Sequence, residues 1–257
     1  MKKIKLTISG GLGRMGTILI KKCLLSKKFS VNSITDIKNK KTIHNIKIKK
    51  NNDDSIKNSD VIIDFSTPIA TLQILKKAVK FKKKVVIGTT GFTKKQENII
   101  KNYSNRIAIF KSGNMSLGIN LLEHLTGVIT KKITNNYQIA ITDNHHKKKI
   151  DYPSGTALML AKAIAKGKNK NLNSLVGKKY LNKNGRLQNN KINFFITRKG
   201  DTIGRHSVIF NNQIETIELK HTAFSRELFA DGALNAAVWL SKKNKGLFNM
   251  QDMFKLK

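Results

Sequence analysis

The chain has 257 residues, 39% apolar and 25% charged, which is enough to bury a core in one large domain or two small ones and too apolar for a disordered chain. The formal charge of +35 first suggests a nucleic-acid or anionic-membrane partner, but only Arg14, Arg106, Arg186, Arg198, Arg205 and Arg226 of the 50 basic residues are arginines, and aromatics are 7%. Arg forks interleaved with aromatics, the usual nucleic-acid footprint, are not prominent, and the single Cys23 excludes a disulfide framework and a cysteine-based zinc site.

The chain opens "MKKIKLTISGG", basic but alternating and cut by glycine, which is not a signal-peptide core. No run reaches the roughly 18 apolar residues of a spanning helix, so no membrane partner and a cytoplasmic address are expected. Residues 4–9 read as a strand; "GGLGRMG" (10–16) then turns into a helix with Met15, Ile18, Leu19, Cys23 and Leu24 at three- and four-residue spacing. Phe29 to Thr35 is a second strand ending at Asp36, and "DVIIDFS" (60–66) a third, followed by a helix over 69–81 with Pro68 in its first turn. "KKVVIGTTGF" (83–92) repeats the strand, glycine turn and helix, and "RIAIFKSGN" (106–114) adds another strand. Strands alternating with helices predict a parallel sheet covered on both faces.

From Leu117 the pattern changes to a helix over 117–132, a strand over 137–142, a polar loop, a helix from Thr156 to Ala165 and a polar stretch over 166–191. "INFFITR", "HSVIFNN" and "ETIELKHTA" then alternate as strands with one exposed face, and the chain is helical again after Arg226. The expected architecture is α/β: a Rossmann-type parallel-sheet domain, 1–116 with 227–257, and an α+β domain, 117–226.

Gly11, Gly13 and Gly16 give G-x-G-x-x-G, and Gly10, Gly13 and Gly16 a shifted version; Asp36 follows Gly16 by twenty residues at the end of the next strand. Both registers let a pyrophosphate approach a helix N-terminus, with Asp36 placed for ribose hydroxyls. The competing reading is a plain glycine turn with an ordinary loop acid. Gly88 to Gly91 and Ser112 to Met115 also follow strands, at the edge where open α/β sheets bind ligands, or they are plain turns.

The sharpest stretch is "DNHHKKKIDYPSGTA" (143–157). Two histidines and three lysines repel one another when charged, so they are either a solvated loop or a site for an anion. Ser154 is a natural helix cap, and Gly155 and Thr156 at a helix N-terminus suit a carboxylate, to which a lysine six residues upstream adds charge. Histidine is the commonest proton-transfer side chain near neutral pH.

These residues resemble the dihydrodipicolinate reductase family, on "GGLGRMG", "DFSTP" (64–68), "GTTGF" (88–92), "GNMSLGIN" (113–120), "HHKKKIDYPSGTA" (145–157), "RKGDTIGRHSVIF" (198–210), "HTAFSR" (221–226) and "GLFNMQDMF" (246–254). The resemblance covers essentially the whole chain. It implies NADH- or NADPH-dependent reduction of 4-hydroxy-tetrahydrodipicolinate to tetrahydrodipicolinate, in the diaminopimelate route to lysine, with no metal. His145 is implied as proton donor or acceptor, Lys149 as proton donor and His146 as a substrate contact, with Ser154, Gly155 and Thr156 holding a substrate carboxylate. Gly10, Gly11, Leu12, Gly13, Arg14 and Met15 are implied at the pyrophosphate and Asp36 at the adenosine ribose. Gly88, Thr89 and Thr90 with Ser112, Gly113, Asn114 and Met115 are implied on the nicotinamide side. A homotetramer built through the second domain's sheet is also implied.

The chain departs from the family in three places. Asp143 and Asn144 precede the histidine pair where an acidic and a small residue are usual. Ile37 and Lys38 stand where many members carry arginine after the ribose-binding acid, so the choice between NADH and NADPH is not fixed by the resemblance. The segment between Asp36 and Ser59 is short and lysine-rich. Two other readings compete: another Rossmann oxidoreductase acting on a small carboxylate, which leaves 145–156 as coincidence, and a basic nucleic-acid-binding protein, which leaves the motif order unexplained.

Overall fold

A computed structural model of the protein describes residues 2–37, 42–50, 52–176 and 188–256. In chain order the elements are β1 (Ile4–Ser9), α1 (Arg14–Leu25), β2 (Phe29–Thr35), β3 (Thr42–Ile43), β4 (Ile46–Lys49), α2 (Asp53–Lys57), β5 (Val61–Asp64) and α3 (Pro68–Lys80). Then follow β6 (Lys84–Ile87), α4 (Lys94–Ser104), β7 (Ala108–Lys111), α5 (Leu117–Lys132), β8 (Gln138–His145), α6 (Gly155–Gly167) and α7 (Leu172–Leu175). The chain ends with β9 (Ile192–Arg198), β10 (Gly204–Asn211), β11 (Thr216–Ala223), α8 (Glu227–Leu240), β12 (Gly246–Phe248) and α9 (Met250–Phe254). Two compact units result: Met1–Ser116 with Arg226–Lys257, and Leu117–Ser225.

The first unit holds a sheet in the order β3-β4-β2-β1-β5-β6-β7-β12, parallel except for the β3–β4 hairpin. Its strands are apolar at successive positions because both faces are covered. Leu6, Ile8, Val61, Ile63, Val86 and Phe110 share one cluster with Leu19 and Ile20 of α1 and Ala233 and Ala237 of α8. Ile62, Val85, Ile87 and Ile109 point the other way, onto Ile74 and Leu75 of α3 and Ile100 of α4. Thr67 caps α3 by accepting from the Ala70 amide, and Pro68 opens it, where a missing amide hydrogen costs nothing. Strand β1 lies between β2 and β5, so the chain reverses its direction of sheet growth there; the crevice at the carboxyl end of such a strand is where open α/β sheets bind ligands.

The second unit has a sheet in the order β11-β10-β8-β9, with β8 antiparallel to β10 and parallel to β9. Helices α5 and α6 bury Ile119, Leu122, Leu160 and Ile164 against Ile139, Ile141, Phe194, Val208 and Phe210. The polar loop expected after residue 142 begins later: β8 continues to His145, because Asn144 pairs with Arg205 and His145 with Arg198. Helix α6 also runs one residue earlier and two later than expected. The stretch over 166–191 contains α7, and its residues 177–187 lie outside the described residues. Sequence patterning did not anticipate the β3–β4 hairpin, α2, β12 or α9.

Candidate functional site

In the first unit, the turn after β1 depends on Gly10, whose φ of +73° is left-handed and whose missing Cβ would otherwise sit 2.3 Å from the Phe65 carbonyl oxygen. Gly13 is the N-cap of α1 with no side-chain cap, and no acid lies in the first helical turn. The amides that open α1, through Arg14 and Met15, are thus left for an anion. Gly11 is buried beneath the turn, and the Leu12 amide donates to Asp36 Oδ2 at 2.8 Å. The turn and the acid therefore hold each other. A cleft of about 1180 Å³ is bordered by Gly10, Gly13, Asp36, Ser66, Lys47 and Lys49. Lys38, beside this acid in sequence, lies outside the described residues.

The loops after β6 and β7 meet at the same sheet edge. A Cβ on Gly113 would be 3.8 Å from Thr90 Cγ2, Gly88 donates to the Asp64 carbonyl at 2.9 Å, and Ser112 donates to that of Ile87 at 3.1 Å. Ser112 Oγ donates to the Asn114 carbonyl at 2.6 Å, Asn114 Oδ1 accepts from the Ser116 amide at 2.9 Å, and Met115 is buried. Thr89 is buried; its hydroxyl donates to Asp64 Oδ2 at 3.0 Å and accepts from the Ser66 amide at 2.9 Å. Ser66 and Thr71 donate to the same carboxylate, each at 2.5 Å. Burial pushes the Asp64 carboxyl up, against the pull of these hydroxyls and that of Ser9.

In the second unit, sheet register assembles the site. Asp143 on β8 pairs directly with His206 on β10, and His145 lies two residues along the same face, opposite Arg198 on β9. Asp143 is fully buried. Its Oδ1 lies 2.9 Å from His145 Nδ1 and 3.2 Å from His206 Nε2. Its Oδ2 accepts from the Ser154 amide at 2.8 Å and from Arg198 Nη2 at 3.0 Å. Burial alone would raise this carboxyl, but His145, His206 and Ser154 outweigh it and hold Asp143 well below the usual carboxylate range. His206 is pushed down, first by burial, against the attraction of Asp143.

Ser154 is the N-cap of α6; its Oγ accepts from the Ala157 amide at 3.2 Å and lies 3.3 Å from His206 Nε2. No acid occupies the first turn of α6, Gly155 is exposed and Thr156 half-buried. Just before the helix, burial raises the Asp151 carboxyl, but Lys149 and the amides of Asp151 and Gly155 outweigh it, so this helix start already faces a carboxylate. Lys149 Nζ lies 2.7 Å from Asp151 Oδ1. The loop is seated on the β9–β10 turn, because the His146 amide donates to the Thr202 carbonyl at 2.7 Å and the Lys147 amide to that of Gly200 at 3.1 Å.

The second unit therefore brings together His145, Ser154 and the α6 start, with Lys149 and His146 in the connecting loop. Sequence reasoning gave no role to Asp64, Asp143, Asp151, Arg198 or His206. Asp64, Asp143 and Asp151 each fell inside a quoted stretch and were legible as acids, but their partners were not. Asp143, His145 and His206 bring donor atoms within 4.8 Å of one another, a spacing that a divalent cation can bridge. The Arg198 guanidinium already holds that carboxylate at 3.0 Å and would repel such an ion.

Comparison with known proteins gives the same outline. Residues 4–115 match the family model for the dihydrodipicolinate reductase N-terminus, and residues 118–254 that for its C-terminus. The chain is 53% identical over 254 residues to the 4-hydroxy-tetrahydrodipicolinate reductase of Pelagibacter ubique (strain HTCC1062), covering 98% of each chain. It is 43% identical over 267 residues to that of Buchnera aphidicola subsp. Cinara cedri (strain Cc), covering 98% of this chain and 97% of the relative. Among solved structures, the dipicolinate-bound dihydrodipicolinate reductase from Paenisporosarcina sp. TG-14 superposes with a TM-score of 0.78 at 19% identity, over 98% of this chain and 99% of that one, which is a likeness of fold. Matched from end to end by its two models and its curated relatives, the chain belongs to the dihydrodipicolinate reductase family.

Proposed function

We propose that the protein reduces 4-hydroxy-tetrahydrodipicolinate to tetrahydrodipicolinate with NADH or NADPH, on the diaminopimelate route to lysine. The observation that carries this reading is the meeting of His145, a buried carboxylate and the Ser154-capped start of α6 at one end of the second unit's sheet. Proton transfer and carboxylate binding need that combination. The left-handed Gly10 turn and the uncapped start of α1 fit a dinucleotide pyrophosphate. Gly10, Gly11, Leu12, Gly13, Arg14 and Met15 hold it, Asp36 takes the adenosine ribose, and Gly88, Thr89, Thr90, Ser112, Gly113, Asn114 and Met115 border the nicotinamide. Once the 4-hydroxyl has left as water to give the unsaturated ring, a bound reduced nicotinamide would supply the hydride to it. Ser154, Gly155 and Thr156 hold one substrate carboxylate at the α6 start, and His146 makes a further contact. Lys149 and His145 deliver the proton to the ring atom that becomes carbanion-like.

A small dicarboxylate is the partner this site suits, and no specific nucleic acid or metal enters the reading. The second unit's sheet has helices α5 and α6 on one face, while half-buried Phe195 and Ile209 lie on the other. That second face supports the assembly of four copies through this sheet. Among the described residues no helix is long and apolar enough to cross a membrane, and a cytoplasmic location accords with the substrate. Replacing His145 or Lys149 by alanine should lower kcat by about a hundredfold or more, the scale for losing a positioned proton donor, while NADH binding persists. Steady-state turnover near wild type in either variant would remove that residue from the mechanism.

A further inference from the structure

Asp143 is enclosed by four nitrogens from four places in the second unit. These are His145 Nδ1 on its own strand at 2.9 Å, His206 Nε2 on β10 at 3.2 Å, Arg198 Nη2 on β9 at 3.0 Å and the Ser154 amide before α6 at 2.8 Å. A carboxylate has two oxygens and about four lone-pair directions, so it is the side chain that such a ring of donors requires. Arg198 also grips the strand itself, with Nη1 donating to the Asp143 carbonyl at 2.8 Å and Nη2 to that of Asp151 at 2.8 Å. Substrate has no access to Asp143, which is fully buried.

The ring of His145 has little choice of orientation. Its Nδ1 and the facing Asp143 Oδ1 are both buried, and neither makes an aligned hydrogen bond to any group. Their 2.9 Å approach is off the axis of the ring N–H, yet Asp143 Oδ1 is the acceptor that faces Nδ1, with His206 Nε2 facing the same oxygen at 3.2 Å. Leaving both unpaired would cost more than an imperfect bond. On the far side of the ring, a Cβ on Gly204 would stand 3.2 Å from His145 Nε2 and 3.4 Å from His206 Cε1. Glycine at that position keeps the space before Nε2 open.

We infer that Asp143 is a positioning residue for proton transfer: its Oδ1 fixes His145 as the Nδ1–H tautomer with Nε2 turned to the substrate, while its Oδ2 anchors the Ser154 amide beside it. One buried carboxylate thereby sets the spacing between the proton-transfer ring and the helix start that receives the substrate carboxylate. The inference rests on the reading of His145 as a proton-transfer group. The charged and titratable groups around the imidazole are Asp143, His206 and Arg198, then Lys149, Asp151 and His221. Among the described residues, Asp143 is the one anion in direct contact with the ring.

Two measurements on the full-length protein test this. Asp143→Asn keeps size and an acceptor for Ser154 but loses the charge. It should lower kcat about ten- to a hundredfold, the range for a displaced acid–base group, while the dissociation constant of NADH, followed by cofactor fluorescence, stays within about twofold. A folded variant with kcat within about twofold of wild type would overturn the inference. Nitrogen NMR of wild-type protein labelled at histidine, with His145 assigned by its loss in His145→Asn, gives a readout that does not depend on the variant folding. The expected spectrum is the Nδ1–H tautomer of the neutral ring, and an Nε2–H ring would overturn the inference. Since the tautomer is read without turnover, an inactive wild-type protein would instead count against the proposed reaction.

Discussion

Asp143 and Asp64 are buried carboxylates pushed in opposite directions. Around Asp143, His145, His206 and Ser154 outweigh burial and lower its pKa, whereas around Asp64 burial outweighs four hydroxyls and raises it. A lowered carboxyl gives stability that is complete above its unfolded value near 3.8 and is lost only as pH falls through the lower folded value. A raised one gives stability that is complete below 3.8 and is lost as pH climbs through the folded value. Asp143→Asn should therefore cost a similar amount at every pH from mildly acidic to neutral, about 3 kcal/mol, because Arg198 is left buried without its anion. Asp64→Asn should cost less at neutral pH than near pH 4, about where wild-type Asp64 begins to ionise when unfolded. Denaturant titrations of both variants across that range check the pair: an Asp64→Asn penalty that grows toward neutral pH would contradict the assignment.

At the scale of elements, β8 and the β3–β4 hairpin show what a linear reading can reach. The motif around His145, Lys149 and Ser154 is contiguous, so it was legible, as were the long buried strands and the helices at three- and four-residue spacing. The end of β8 was not, because "TDNH" carries no apolar alternation. Those residues are held in the sheet by register with Arg198 and Arg205, more than 50 positions away. His206 and Arg198 enter the site by the same cross-strand pairing. The hairpin was hidden by its lysines: Ile43, Ile46 and Ile48 pack toward the core while Lys47 and Lys49 line the cleft that also contains Asp36. That placement bears on cofactor choice. On the proposed reading, in which Asp36 takes the ribose hydroxyls, its charge would repel an added 2′-phosphate, Ile37 offers no compensation, and flexible ammoniums lack the fork of arginine. Both cofactors should serve, with NADH equal or preferred at physiological ionic strength and NADPH gaining as salt falls, since exposed lysines attract it through a screened field. Ratios of kcat/KM across a salt series decide this. A preference for NADPH above about tenfold that survives high salt would mean that the lysines, not Asp36, set the choice.

At the scale of the molecule, the charge of +35 is the feature most easily misread. Several of the few acids are committed to ion pairs: Glu227 and Asp231 with Lys22, Asp53 with Lys77 and Lys80, Glu97 with Lys111, and Asp151 with Lys149. Among the described residues most lysines lie outside these ion pairs and form a diffuse field, which binds anions weakly and without sequence preference. Lys, Asn and Ile share A/T-rich codons, so a biased source genome would account for the surplus with no nucleic-acid role required. The motifs instead follow in order along both units, a glycine-turn sheet in one and a histidine, carboxylate and helix-start cluster in the other. The most direct measurement is NADH or NADPH oxidation by the purified protein on addition of freshly made product of the preceding synthase reaction. Oxidation in proportion to the dicarboxylate added, and lost when it is omitted, is the predicted result. A folded protein that binds NADH but oxidises neither cofactor when this substrate is supplied would contradict the account.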